Sequence, residues 1–228
     1  SYLMRHHHTS PFEQAEVTFL MQIPSCIAIH FLRHRSAHVN QESLRYTNKQ
    51  ETAAFYVPEP RKKSPVNKQG SVVSSESEPF VDAAWTKSAI FGNSRSSLQL
   101  YCDMVNKGVA EEVARFVLPQ NIYTKLLFKI DLHNLFHLLK LRLDPHSQLE
   151  TQLYARAMYT LIQPLFPKAC KDFETHLLNS LTFSAKEIEF LQKRLFLAEN
   201  PSSLDLSGFK GSELDDLWRK LSIFNKKQ

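Results

Sequence analysis

The 228 residues suffice for one large domain or two small ones, and a hydrophobic share of 43% argues against a chain that stays disordered. No apolar stretch reaches the roughly 18 residues a membrane-spanning helix needs, and no basic-then-apolar leader opens the chain, so neither a span nor secretion is expected. The net charge of +5 favours anionic partners, while three scattered cysteines, Cys26, Cys102 and Cys170, make neither a disulfide framework nor a zinc cage and point to a reducing, cytoplasmic setting.

Residues 1–9 read as the end of a helix, and Ser10-Pro11 as a turn. The His6-His7-His8 run is short for an affinity tag and is read as native sequence. Over residues 16–23, Val17, Phe19, Met21 and Ile23 alternate with Glu16, Thr18, Leu20 and Gln22, the period of a half-buried strand. Pro24-Ser25 closes it, with Ser25 as N-cap of an apolar helix over 26–34 that ends in basic residues. Residues 35–46 read as a polar loop, and Phe55-Tyr56-Val57 as a short strand. From residue 58 to 79 lysine, serine and proline dominate around Gly70. This segment is expected to be a flexible surface loop with Arg61-Lys62-Lys63 solvated.

Helices are expected over 80–90 and 96–107, the second ended by Gly108. A third covers 109–118 and stops at Pro119. Its Val109, Val113, Phe116 and Val117 form an apolar stripe with Arg115 alongside. Residues 122–130 suit a second strand, Asp131 caps a helix over 132–142, and another helix spans 147–163. Ser184-Ala185-Lys186-Glu187 is a capping box opening a helix to Leu197, which Asn200-Pro201 breaks. Ser212 opens a last amphipathic helix with Leu214, Leu217, Trp218 and Leu221. The expected organisation is a catalytic core over residues 1–175 and a helical C-terminal extension over 176–228.

The most specific chemical signal is Arg33-His34-Arg35, then seven residues, then Ser43-Leu44-Arg45-Tyr46. Two arginines and a histidine at a helix end, beside a loop with backbone N–H groups and a hydroxyl, suit phosphate or pyrophosphate. A bare R-H-R would more often be a helix end facing water. No G-x-S-x-G elbow surrounds Ser43, so it reads as a ligand rather than a nucleophile. The cysteines read as buried structural thiols. His133 and His137 share a helix face, with Asp144, His146 and Glu150 following. A metallohydrolase is one alternative on that ground, although no H-E-x-x-H pattern is present. A nucleic-acid binder is another, weakened because the arginines are dispersed among apolar segments.

The extended pattern R-H-R-x7-S with its R-Y resembles the signature of the flavin-dependent thymidylate synthases. Three further segments are similar to that family's in the same order. His6-His7-His8-Thr9-Ser10-Pro11-Phe12-Glu13 resembles its H-x-S/T-P-F-E stretch. Val113-Ala114-Arg115-Phe116-Val117-Leu118-Pro119 resembles its V-A-R-x-x-L-P helix. Asp131-Leu132-His133-Asn134-Leu135-Phe136-His137, with residues 141–148, resembles its second ligand-binding helix. The likeness covers residues 1–150 and fades beyond Phe173.

The resemblance implies an α/β (α+β) fold, with a central mixed or antiparallel sheet flanked by helices, in a homotetramer with shared active sites. It implies methylation of dUMP to dTMP, with methylenetetrahydrofolate as carbon donor, reduced FAD as hydride donor and NADPH as flavin reductant. Neither nucleic acid nor a membrane is an implied partner. By position, Ser10, Arg33, His34, Arg35, Ser36 and Gln41 match FAD contacts, as do Asp131, His133 and His137 on the second helix. His8 matches a histidine near the flavin and the folate. His30, Phe31, Leu32 and Arg33 match the helix end that meets dUMP. Gln41, Glu42, Ser43, Leu44 and Arg45 match the loop around it, with Arg115 and Arg142. Arg142 is the implied catalytic residue, a guanidinium facing the pyrimidine and favouring its ionised form. Gln41 stands where glutamate is common, with Glu42 one place later, and His30 stands where glutamine is common. The family's opening strand and helix are absent ahead of Ser1, so a shortened or partial chain is expected, or a catalytically weakened homologue.

Overall fold

The computed structural model describes residues 2–48, 53–65, 70–72 and 82–194, together with Gly211, Leu214, Asp215 and Leu217. The chain opens with α1 (Tyr2–Arg5) and α2 (Ser10–Glu13), where a one-turn helix replaces the expected turn. Proline in a first helical turn gives up an N–H that has no intrahelical partner anyway. β1 (Glu16–Pro24) leads into α3 (Ser25–Leu32). Pro24 occupies the N-cap position; the Ser25 hydroxyl instead donates to the Ile122 carbonyl at 3.1 Å. Next come β2 (His38–Gln41), β3 (Lys62–Lys63) and β4 (Ser71–Val72). α4 (Ala83–Asn106), α5 (Glu111–Ala114) and a 3-10 turn (Arg115–Val117) follow. β5 (Tyr123–Asp131), α6 (Leu132–Arg142) and α7 (Leu149–Ile162) complete the part of the chain that matters for the site.

The main sheet has strand order β1-β5-β2 and is antiparallel throughout. β1 and β5 pair along their full length, from Glu16 opposite Asp131 to Pro24 opposite Tyr123. Alternation then does what a period of two requires. Phe19, Met21 and Ile23 on β1 and Leu126, Phe128 and Ile130 on β5 are buried on one face. Leu20, Gln22, Lys125, Leu127 and Lys129 are exposed on the other. Helices flank the buried face: Ile27, Ala28 and Phe31 of α3, Leu135, Phe136, Leu138 and Leu139 of α6, and Ala155, Met158 and Ile162 of α7 fill the core. The Phe31 ring meets Phe128 and Tyr154 edge to face, with centroids 6.3 and 6.2 Å apart.

β2 lies where a loop was expected. All four of its residues are exposed, so no apolar alternation marks it; it is an edge strand held by pairing with β5, His38 opposite Lys129 through Gln41 opposite Leu126. α4 is one helix where two were expected. Gly92-Asn93-Ser94 interrupts the helix propensity, but Ser94 is buried and its hydroxyl exchanges hydrogen bonds with the Asn121 side chain, so packing overrides propensity. Residues 80 and 81, in the expected start of that helix, lie outside the described residues. Gly108, at φ 84°, ends α4 in a backbone conformation that side chains disfavour. The expected strand at Phe55 is a single bridge to Ile122.

The chain divides into two compact units, residues 8–170 and residues 1–7 with 171–228. The passage between them falls within α8 (Pro167–Phe173), which continues as a π-helical turn over Glu174–Leu178. α9 (Ala185–Arg194) opens on the expected capping box: the Ser184 N–H donates to Glu187 Oε2 at 2.7 Å, and the Glu187 N–H to Ser184 Oγ at 3.3 Å. Residues 195–210, Ser212, Trp218 and Leu221, named for the last helices, lie outside the described residues. No helix among the described residues is long and apolar enough to cross a membrane.

Candidate active site

Strand β5 hands the chain to α6 at Asp131, whose Oδ1 accepts the Asn134 N–H at 2.9 Å while its Oδ2 accepts the Asn134 amide at 2.6 Å. That cap starts α6 at a fixed point. The buried leucines Leu135, Leu138 and Leu139 pin one face of the helix. The helix then delivers Arg142 in its last turn, where a cation suits the helix dipole. The Arg142 Nε donates to His34 Nε2 at 3.0 Å, and Nη2 donates to the His30 carbonyl at 3.1 Å. One edge of the guanidinium is therefore fixed by the end of α3 and the residues after it.

His34 is buried, and its N–H donates to the Phe31 carbonyl at 3.0 Å, which turns the chain as α3 ends. Burial first, then the charges of Arg142 and His137, push its pKa down to about 4. The imidazole is neutral at pH 7, and Nε2 is free to accept from Arg142. The His137 ring stands 6.4 Å from the His34 ring, edge to face. His30 is likewise held below its ordinary value by burial and by Arg142, against a hydrogen bond to Gln148 that favours the charged ring. Burial also lowers the Arg142 pKa, although a guanidinium stays charged at any working pH.

This arrangement makes a pH prediction. Between 6.5 and about 4 the unfolded chain binds a proton at this histidine that the folded chain does not, so stability should fall as pH drops through that window. Urea unfolding at a series of pH values should show a shallower fall for His34→Gln than for the parent. Equal slopes would contradict the assignment of a neutral acceptor.

Arg142 and His30 line a cleft of about 970 Å³ together with the turn after α6, including Asp144, His146 and Gln148, and with Arg61, Ser64, Gly70 and Ser71. In the turn, Asp144 Oδ1 lies 2.8 Å from His146 Nδ1 and accepts the His146 N–H at 2.7 Å. Hydrogen bonds from the His146 backbone and side chain hold the Asp144 carboxyl below its usual range.

The other residues matched by motif gather elsewhere. Ser43 Oγ accepts the Arg45 N–H at 3.3 Å, and the Ser43 carbonyl accepts from Thr47 at 3.1 Å, which makes a compact turn over 43–47. The Arg45 guanidinium donates to Glu112 Oε2 at 3.0 Å and lies over the Tyr46 ring. Arg115 Nε donates to the Glu112 carbonyl at 3.2 Å. Glu112 thus brings Arg45 and Arg115 to one surface, but neither they nor Ser43 and Leu44 line the cleft with Arg142. Gln41 Nε2 donates to Thr124 Oγ1 at 3.2 Å at the sheet edge, and the Glu42 N–H donates to the Lys125 carbonyl at 2.9 Å. Ser10, Leu32, Arg33, Arg35, Ser36 and His137 are exposed, and His133 is half-buried.

Phe31 corrects an expectation. The whole residue is buried, its ring against Phe128 and Tyr154 and its carbonyl accepting the His34 N–H, so Phe31 is core and offers no surface to a ligand. Cys26 and Cys102 are only half-buried, and Cys170 alone is buried; burial raises the Cys26 thiol above its ordinary pKa. Arg61, expected in water, is instead paired with Glu150 at 2.8 Å, with side-chain exposures of 12% and 4%. The available signal was Glu150 itself, a carboxylate at the start of a helix with an apolar face. Among the described residues no group of three or more His, Cys, Asp or Glu side chains is placed to hold a metal ion.

The family model described as "Thymidylate synthase complementing protein" matches residues 1–168. The chain is 37% identical over 223 residues to a flavin-dependent thymidylate synthase of Treponema denticola, an alignment covering 96% of this chain and 80% of the relative. A protein of the same description from Thermus thermophilus is 40% identical over 222 residues, covering 96% and 79%. Among solved structures, the chain is similar to a UMP/dUMP methylase, PolB, from Streptomyces cacaoi bound with 5-Br dUMP. That likeness has a TM-score of 0.66 and 30% identity, and covers 76% of each chain. The extent of the family match and these identities together establish that the chain belongs to the thymidylate synthase complementing protein family, that of the flavin-dependent thymidylate synthases.

Proposed function

We propose that this chain methylates dUMP to dTMP, taking the carbon from methylenetetrahydrofolate and drawing on FAD that NADPH re-reduces. The observation that carries the reading is Arg142: a partly desolvated guanidinium, fixed on one edge by His34 and His30, lining a cleft large enough for a nucleotide. C5 of uracil is a weak nucleophile, and negative charge builds on the pyrimidine carbonyl and N3 as it is activated. A preoriented cation at those atoms stabilises that charge without reorganising at the moment of reaction. Neutral His34 keeps Arg142 in orientation, because a protonated ring would present a donor and a charge of the same sign.

The donor set fits FAD. Arg33 and Arg35 follow the end of α3 with exposed guanidinia, and neither has an ion-pair partner among the described residues. Two such groups suit a pyrophosphate. When bound and reduced, FAD supplies the hydride that completes the methyl group. Ser10, Ser36, Gln41, Asp131, His133 and His137 are assigned to the flavin side, with the carboxylate of Asp131 also capping α6. His30, Leu32, Glu42 and the turn at Ser43, Leu44 and Arg45 are assigned to the nucleotide, together with Arg115 and Arg142, while buried Phe31 supports them from the core. Glu112 holds both arginines, Arg45 through its carboxylate and Arg115 through its carbonyl, and a nucleotide phosphate would compete for the Arg45 guanidinium.

Within one chain Arg142 and His30 line the cleft while Ser43, Leu44, Arg45 and Arg115 do not, a separation that supports a homotetramer whose subunits complete one another's sites. Apolar surface supports it too. Leu20 and Leu127 pair across the outer face of the sheet at 74% and 47% exposure, and Leu161 and Leu165, at the end of α7 and just after it, are 62% and 66% exposed. An exposed apolar pair on a sheet face is the kind of surface an interface covers. With free thiols in a reducing setting, the enzyme is assigned to the cytoplasm.

The test is a visible absorption titration. The purified protein is expected to take up FAD, to change the flavin spectrum on addition of dUMP, and to scatter light as a tetramer. A folded protein that retains no flavin after incubation with FAD and removal of the excess would overturn the reading.

A further inference from the structure

Composition suggested a solvated loop at residues 58–79, yet the described part of it is tied to α7 by a buried ion pair. Arg61 donates Nη1 to Glu150 Oε1 and Nη2 to Oε2, both at 2.8 Å. Its Nε donates to Ser71 Oγ at 2.9 Å, so one guanidinium also ties the start of β3 to β4. The backbone joins the same two arms: Lys62 pairs with Val72, and the Ser64 N–H donates to the Gly70 carbonyl at 3.0 Å. Glu150 is satisfied on both oxygens, by Arg61, by Gln148 Nε2 at 2.9 Å and by the Tyr56 hydroxyl at 3.4 Å. Burial pushes its pKa up, but hydrogen bonds from Arg61, from its own backbone N–H and from Gln148, together with the Arg61 charge, outweigh that and hold the carboxyl below its usual range. A planar fork on a carboxylate fixes direction as well as distance.

The geometry bears on the cleft. Ser64, Gly70 and Ser71 line the same cleft as Arg142, and Gln148, which steadies Glu150, also interacts with His30, whose carbonyl holds Arg142. We propose that Arg61 and Glu150 are positioning residues: their ion pair sets residues 61–64 and 70–72 as a wall of the cleft and so tunes its affinity for dUMP. This rests on the reading of Arg142 as the residue that holds dUMP.

The experiment compares the FAD-loaded parent with Arg61→Lys, which keeps the charge but loses the fork. A second variant, Arg61→Met with Glu150→Leu, leaves no unpaired buried charge and so guards against simple unfolding. Both are expected to bind FAD as the parent does. KM for dUMP is expected to rise about tenfold or more, the size of one lost charged hydrogen bond, with kcat changed far less. Amide hydrogen exchange over residues 61–64 and 70–72 is expected to quicken in both. Folded variants with the parent's KM for dUMP, or with unchanged exchange in those amides, would overturn the proposal. Failure of the functional reading is distinguishable, because it would show in the parent itself as an absence of dUMP turnover.

Discussion

Arg142→Ala is expected to lower dTMP formation about a hundredfold or more at saturating dUMP, while FAD uptake persists. Loss of one preoriented donor at developing charge typically costs roughly 2–4 kcal/mol of barrier. Here the lost group is a desolvated guanidinium already oriented by His34 and His30. Removing it also leaves the buried Nε2 of His34 without its donor, so some loss of stability should accompany the loss of rate. The comparison that gives the result meaning is Ser43→Ala. Its hydroxyl accepts the Arg45 N–H within an exposed turn, and its backbone survives the substitution. That variant should lose about 0.5–1.5 kcal/mol, mostly in dUMP affinity. A covalent serine mechanism forecasts the reverse, with no turnover surviving without the nucleophile. Steady-state kinetics of both variants separate the two, and a dead Ser43→Ala that still binds FAD and dUMP would contradict the assignment.

Phe31→Ala is expected to cost about 3–5 kcal/mol of stability, the usual range for emptying a phenylalanine site in a packed core. The ring is fully buried between Phe128 of the sheet and Tyr154 of α7, where no neighbour can collapse into the space without moving a layer. Denaturant unfolding measures it directly. Because the side chain is core, the loss should appear as a lower unfolding midpoint, with dUMP affinity per folded molecule little changed. A midpoint equal to the parent's would show that Phe31 is not the keystone of that layer.

The parts of this molecule that were legible in sequence are those where burial writes a period. β1 and β5 alternate along their buried faces, and Asp131 marks the junction to α6 by a capping rule, so the scaffold beneath Arg142 could be read residue by residue. β2 could not, because an exposed edge strand is selected by pairing and leaves no apolar pattern. The gap expected between residues 90 and 96 is helical in α4, because the hydrogen bonds of Ser94 to Asn121, which offset the weak propensity there, join residues far apart in sequence. Arg61 shows the same limit at the site. A lysine- and serine-rich composition describes the surroundings of a residue and not its partner, and the partner lies on α7, many residues away. Motif spacing brought Arg33, His34, Arg35 and Ser43 to attention together. The folded chain keeps His34 with Arg142 and sets the turn at Ser43 with Glu112 and Arg115 instead, an arrangement that no linear spacing expresses.

The most direct test of the central claim is dTMP formation from dUMP by the purified protein, measured by chromatography of the nucleotides with each component withheld in turn. The account predicts dTMP when FAD, methylenetetrahydrofolate and NADPH are all supplied to the native enzyme, and its loss when dUMP, the folate or the reductant is withheld. A folded, FAD-loaded protein that leaves dUMP unchanged with every component present would contradict it.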